Sequence, residues 1–101
     1  MAVAIAFLRK YPPRRAIRER LIEITGDTSY PTGGSAISAA NVQLTAITAL
    51  LPQNPYPLVD RIYVWDRTNG KLIAQVASTG AQVANATDLS ADKIVALVSG
   101  R

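Results

Sequence analysis

The sequence predicts an all-β fold: a small antiparallel β-sandwich of the jelly-roll or immunoglobulin-like type, with one short helical turn. Two observations favour it. An Asn-Gly pair is flanked by β-branched and aromatic residues, and short apolar segments alternate with turns rich in Pro, Gly and Asn. These segments leave no room for most crossover helices, which disfavours a parallel α/β fold. At 101 residues, the chain is expected to form a single domain over residues 1–101.

The first element is predicted to be a strand. Large side chains alternate with alanine over Val3–Phe7, which is the two-residue period of a strand. Pro12 and Pro13 end the element, because proline cannot donate to a sheet ladder. Residues 1–13 are candidates for an N-terminal strand or arm that extends from the domain.

The next segment, residues 14–24, fits two structures. As an amphipathic helix it places Ile17, Leu21 and Ile24 on one face. As a strand it points Ile17 and Leu21 away from Ile22 and Ile24, which requires a β-bulge or a strand that changes sheets. Periodicity alone does not decide between them.

The remaining elements are predicted from local signals. Turn formers fill residues 25–35, which we expect to be a loop, and Ser38 is expected to cap a short helical turn over residues 38–41. Strands are predicted over 46–51, 61–67, 71–76 and 93–98, with a tight turn at Asn69-Gly70 and another turn at 88–92. The last strand is a continuous apolar run, typical of a strand buried on both faces within a sandwich or at an interface.

The composition argues against an enzyme. The chain has no His and no Cys, which excludes a serine triad, a thiolate metal site and a disulfide framework, so we expect no cofactor and no metal. The nearest carboxylate pairs, Asp60 with Asp66 and Asp88 with Asp92, fall at strand ends or turns, where capping or solvation explains them. Gly33-Gly34 lacks the P-loop spacing and lysine and is predicted to be a turn. No apolar stretch approaches the roughly 18 residues of a membrane span, so no membrane partner is expected.

Positive charge is concentrated at the N-terminus. Residues 1–20 hold six basic residues and one acidic residue, a net charge of +5, whereas the other 81 residues sum to −1. Such a local cluster favours a partner with an acidic patch. The candidate partner-binding arginines are Arg14, Arg15, Arg18 and Arg20. An acidic protein surface is the favoured partner; the alternative is a small single-stranded nucleic-acid-binding protein that also uses Tyr11, Tyr63 or Trp65 for stacking.

Three landmarks resemble those of small tailed-phage virion proteins, known mainly as capsid cement, or head decoration, proteins. They are Thr28–Gly34, the hairpin from Ile62 to Leu72, and Val83–Ala91 before the last strand. The resemblance covers residues 20–99 and favours the strand for residues 14–24. Tyr30 and Trp65, which lie in these landmarks, join the arginines as candidate partner-binding residues.

The resemblance implies a function in assembly. It implies a β-sandwich that binds the outer surface of an icosahedral shell as a dimer or trimer and bridges neighbouring major capsid subunits. The expected location is the outer capsid surface of the virion, after a soluble stage in the host cytoplasm. A cement protein needs no catalytic group, and many weak symmetric contacts add through multivalency.

Overall fold

Seven β-strands and one short 3-10 helix make up the regular structure of the part of the chain that the computed structural model describes, residues 3–10, 17–56 and 59–101. In chain order they are β1 (Ala4–Lys10), β2 (Arg18–Thr25), β3 (Ser35–Ala36), the 3-10 helix (Ala39–Val42), β4 (Ile47–Pro52), β5 (Arg61–Asp66), β6 (Lys71–Val76) and β7 (Lys93–Gly100). No helix in these ranges has the length and apolar character needed to cross a membrane.

The strands form two antiparallel sheets. The larger has the order β1-β2-β7-β4 and the smaller the order β3-β6-β5. The most buried members of the core between them include Ile22, Ile24, Leu72, Ala74, Ile94, Ala96 and Val98. The predicted antiparallel β-sandwich with one short helical turn is confirmed.

The ambiguous segment is a strand from Arg18 onward, so the helical alternative is wrong over the residues that the structure describes. Pairing between β2 and β7 is unbroken from Arg18 to Thr25, and β2 contains no bulge. The inward residues are Arg20, Ile22 and Ile24, while Leu21 lies on the opposite, outer face. The prediction that this strand needs a bulge or a change of sheets is wrong, because its apolar positions change phase at Leu21 only through apolar residues on both of its faces.

Strand β1 forms one edge of the larger sheet and pairs with β2 of the same chain. Ile5 and Phe7 pack against the core, while Ala6 is exposed on the other side. The register shifts between Phe7 and Arg9, so this pair of strands does contain a bulge, although in β1. Residues 1, 2 and 11–13 of the candidate arm lie outside the described residues.

The local signals located the hairpin and the helical turn correctly. β5 and β6 pair from Arg61 opposite Val76 to Asp66 opposite Lys71, and the turn spans four residues, 67–70, one more than the predicted strands 61–67 and 71–76 leave for it. Ser38 caps the 3-10 helix, because its hydroxyl accepts the N–H of Asn41 at 3.3 Å. The short strand β3 lies partly in the segment predicted to be a loop.

Strand β7 is the inner strand between β2 and β4. Its inward residues Ile94, Ala96 and Val98 are fully buried, whereas the alternate residues, Val95 and Leu97 among them, are only partly buried. The predicted strand is confirmed. Burial of both faces within the sandwich is wrong, and burial of the second face at an interface stays a prediction. One face of its apolar run stays uncovered.

Asp92 is a buried carboxylate, so the prediction of a capping or solvated turn residue is wrong at this position. It is 1% exposed and accepts hydrogen bonds from Arg61 Nε at 2.6 Å, Arg61 Nη2 at 2.8 Å and Tyr63 Oη at 2.7 Å. Burial raises the pKa of Asp92, but the bonds from Arg61 and Tyr63 outweigh it and hold the pKa below its ordinary value. Because Asp92 precedes β7 and its two partners lie on β5, this cluster joins the two sheets.

Candidate partner-binding surfaces

The outer face of the larger sheet, the side turned away from the core, carries a row of leucines. The pairing register places Leu21 of β2 beside Leu97 of β7, and Leu97 beside Leu51 of β4. Leu51 is 61% exposed, and Leu21 and Leu97 are partly exposed. We call these three residues the outer leucine row. The solvent-facing side of an antiparallel sheet is usually polar, so an apolar row on this face marks a candidate interface.

Polar residues border the outer leucine row. Arg9 of β1 lies opposite Leu21. Glu23, two residues after Leu21 on the same face of β2, lies opposite Val95 of β7. Tyr56 donates its hydroxyl hydrogen bond to Glu23, and this bond raises the pKa of Tyr56. An apolar centre with a polar border is the usual composition of a protein–protein interface.

Positive charge gathers at one end of the sandwich. Lys10 lies opposite Arg20 across β1 and β2, and Arg18 lies opposite Gly100 across β2 and β7. Arg101, which follows Gly100, therefore sits at the same end, and both Arg18 and Arg101 are exposed. We call Lys10, Arg18 and Arg101 the basic end. Sequence reasoning missed Arg101, because only strand pairing brings it beside Arg18.

The four candidate arginines do not share one environment. Arg14 and Arg15 lie outside the described residues, and Arg18 is exposed. Arg20 is only 7% exposed, because strand alternation directs it inward together with Ile22 and Ile24. Its Nη1 donates to the carbonyl of Glu19 at 3.2 Å, while its buried Nε has no hydrogen-bond partner among the described residues. Arg20 therefore does not belong to an exposed binding surface.

Tyr30 is a core residue and is not displayed to a partner. It is 1% exposed, and its Oη accepts the N–H of Ala74 at 3.1 Å and donates to Gln82 at 3.0 Å. Burial raises the pKa of Tyr30, and the bond from Ala74 offsets part of this increase. Its backbone N–H donates to Thr87 at 2.9 Å and its carbonyl accepts from Ala86 at 2.7 Å. Two of the three landmarks, Thr28–Gly34 and Val83–Ala91, are thus bonded to each other and serve the fold.

Trp65 lines an open groove between β4 and β5 with a volume of about 430 Å³. The groove is apolar, and its other lining residues include Leu50, Leu51, Pro52, Tyr63, Val64 and Arg67. Trp65 is partly buried, and its indole Nε1 has no acceptor within the described ranges.

Tyr63 does not offer a free stacking face for nucleic acid. It is 7% exposed, and burial together with its hydrogen bond to Asp92 raises its pKa well above the ordinary value. Of the aromatic residues proposed for stacking, Tyr11 lies outside the described residues and Trp65 alone is partly accessible.

The chain thus combines an apolar sheet face, a basic end and a groove at the corner between the sheets. No protein-family model, curated protein or solved structure matches it. The resemblance to capsid cement proteins therefore stays a prediction, and the function must be argued from these surfaces.

Proposed function

We propose that this protein is a non-enzymatic capsid cement protein of a tailed-phage virion. It would bind the outer surface of the shell and bridge neighbouring major capsid subunits. The observation that carries the proposal is the outer leucine row, which crosses three adjacent strands and is partly or largely exposed in the single chain. An apolar face that the fold leaves uncovered supports assembly with other chains.

The energetic contribution of this row to binding is moderate. Full burial of a leucine side chain contributes about 1.5–3 kcal/mol, so covering Leu51, which is 61% exposed, contributes roughly 1–2 kcal/mol. Leu21 and Leu97 contribute less each, because they are already partly buried. Binding of this size suits a protein present in many symmetric copies, since multivalency strengthens weak single contacts.

The basic end supplies a second contact of different chemistry. Arg18 precedes Leu21 by three residues along β2, about 10 Å in a strand, and alternation directs the two side chains to opposite faces. The basic end is therefore a contact site distinct from the outer leucine row. An acidic patch on the major capsid protein would complement this end and would speed association at low salt. Raised salt should weaken the basic contact and leave the leucine contact in place.

The first experiment is co-sedimentation with capsids assembled without this protein, from the phage that encodes it. We expect a capsid-bound fraction at low salt that decreases at high salt. Leu51→Asp should reduce binding about tenfold or more, because it removes the apolar contact and buries a charge. The matched control is Val64→Asp, an exposed apolar residue, 38% exposed, on the smaller sheet.

The outcomes separate four possibilities. Loss of binding in Leu51→Asp alone supports docking through the larger sheet, and loss in Val64→Asp alone places the contact on the smaller sheet. Absence of any bound wild-type protein at low salt rejects the cement function. Quenching of Trp65 fluorescence by oligonucleotides at low salt would instead favour the single-stranded nucleic-acid alternative.

A further inference from the structure

The groove between β4 and β5 is bordered by the free edges of both sheets. β4 is the last strand of the larger sheet and β5 the last strand of the smaller one. Each therefore pairs on one side only within the described part of the chain. A free strand edge presents unpaired backbone N–H and C=O groups, which can pair with another strand.

The hydrogen bonds of β6 show which groups of β5 face the groove. The N–H of Ala74 donates to Tyr30 Oη, and its carbonyl accepts from Val83, both on the side of β6 away from β5. Ala74 lies opposite Tyr63, so this is a non-hydrogen-bonded pair of the ladder. The N–H and C=O of Tyr63 therefore point out of the sheet toward the groove, and alternation gives Trp65 the same direction.

The edge of β4 offers fewer unpaired backbone N–H and C=O groups than the edge of β5. The N–H of Gln53 donates to the carbonyl of Val95 at 2.9 Å, so alternation directs the N–H and C=O of Leu50 away from β7. Pro52 has no N–H, and the register shifts around Thr48. The longer unpaired stretch is thus on β5, where Tyr63 and Trp65 each offer a donor and an acceptor.

The side chains of the groove add chemistry to this edge. The floor is apolar, and Arg67 is exposed where it lines the groove. Arg67 makes no ion pair and no hydrogen bond with the described ranges of its own chain. A carboxylate on a bound segment would give Arg67 a charge partner, so charge complementarity favours an acidic ligand over a basic one.

We propose that the groove binds an extended segment of a partner protein as an additional strand on the edge of β5. The segment has an apolar side chain that enters the groove and a carboxylate that pairs with Arg67. Main-chain hydrogen bonds to Tyr63 and Trp65 supply affinity, and the groove and Arg67 supply specificity. This site shares Leu51 with the outer leucine row, but it uses the strand edge of β5 and does not depend on the capsid proposal.

The test uses a capped hexapeptide in which valine and threonine alternate and an aspartate ends the chain. Trp65, the single tryptophan of the chain, reports binding by fluorescence, and ¹⁵N NMR follows the amides of Tyr63 and Trp65. We expect saturable changes in both signals and at least tenfold slower hydrogen exchange of these two amides. The same peptide with N-methylated amides should not bind, because it cannot pair with the strand edge.

A second pair of measurements tests the charge. A peptide that ends in lysine should bind about two- to fivefold more weakly than the aspartate peptide, and Arg67→Gln should remove this difference. The proposal is overturned if millimolar peptide leaves the Tyr63 and Trp65 amides unchanged, or if the N-methylated peptide binds equally well. Capsid sedimentation of the wild-type protein does not bear on these results, so the two proposals fail independently.

Discussion

Removal of the Asp92 carboxylate should cause a large loss of stability. In Asp92→Ala the three hydrogen bonds from Arg61 and Tyr63 lose their acceptor, and the link between the two sheets is broken. Breaking a buried ion pair by removing one partner costs about 3–5 kcal/mol. Arg61 is 28% exposed, so water can partly solvate its guanidinium, and we expect the lower limit, about 3 kcal/mol.

This loss is readily measurable. The unfolding entropy of a domain near 100 residues is about 0.2 kcal/mol/K, so Tm should fall by roughly 15 °C. Urea unfolding followed by circular dichroism should show a lower midpoint with an unchanged slope. Tyr63→Phe should cost only about 1 kcal/mol, because Asp92 keeps both bonds from Arg61.

The control is a second aspartate in the same turn. Asp88 is exposed and accepts a hydrogen bond from the N–H of Ser90 at 2.9 Å. Asp88→Ala should therefore lose clearly less stability than Asp92→Ala. Equal losses in the two variants would refute the role assigned to the buried cluster.

Three further predictions concern pH, packing and charge. The pKa of Asp92 is lowered by folding, so its contribution to stability is complete above about pH 4 and is lost as pH falls through the folded pKa. Urea titrations at a series of pH values should therefore show a smaller loss of stability on acidification in Asp92→Asn than in the wild type. Gly26→Ala should lower the free energy of unfolding by about 2–3 kcal/mol, because the new Cβ would lie 2.1 Å from the carbonyl oxygen of Leu89. In the control Gly80→Ala the new Cβ meets no atom within 4 Å, and the positive φ should cost about 1 kcal/mol. Equal Tm losses in the two variants would contradict this. Arg20→Met should leave the stability unchanged or raise it, because Arg20 is buried and its Nε has no partner among the described residues. Arg20→Met should also leave co-sedimentation with capsids unchanged, whereas Arg18→Ala should weaken it at low salt.

Features set by neighbouring residues could be predicted from the sequence. The Asn69-Gly70 hairpin and the Ser38 cap each depend on residues within a few positions, and the structure confirms both elements. The two-residue period of Val3–Phe7 likewise located β1.

Features set by distant pairing could not be predicted. Asp92 appeared to be a turn residue, because its partner Arg61 lies 31 positions earlier. The outer leucine row draws one residue from each of three strands, and no periodicity within one strand shows that they are neighbours. Arg20 appeared to belong to an exposed cluster, since formal charge does not show which face of a strand it occupies.

The most direct test of the proposed function is a cryo-electron microscopy reconstruction of capsids incubated with the purified protein. We expect additional density on the outer surface at positions that bridge neighbouring major capsid subunits, with Leu21, Leu51 and Leu97 facing the shell. Shells without added density would contradict the cement function. Density in which the outer leucine row faces solvent, with no second copy against it, would contradict the surface assigned to it.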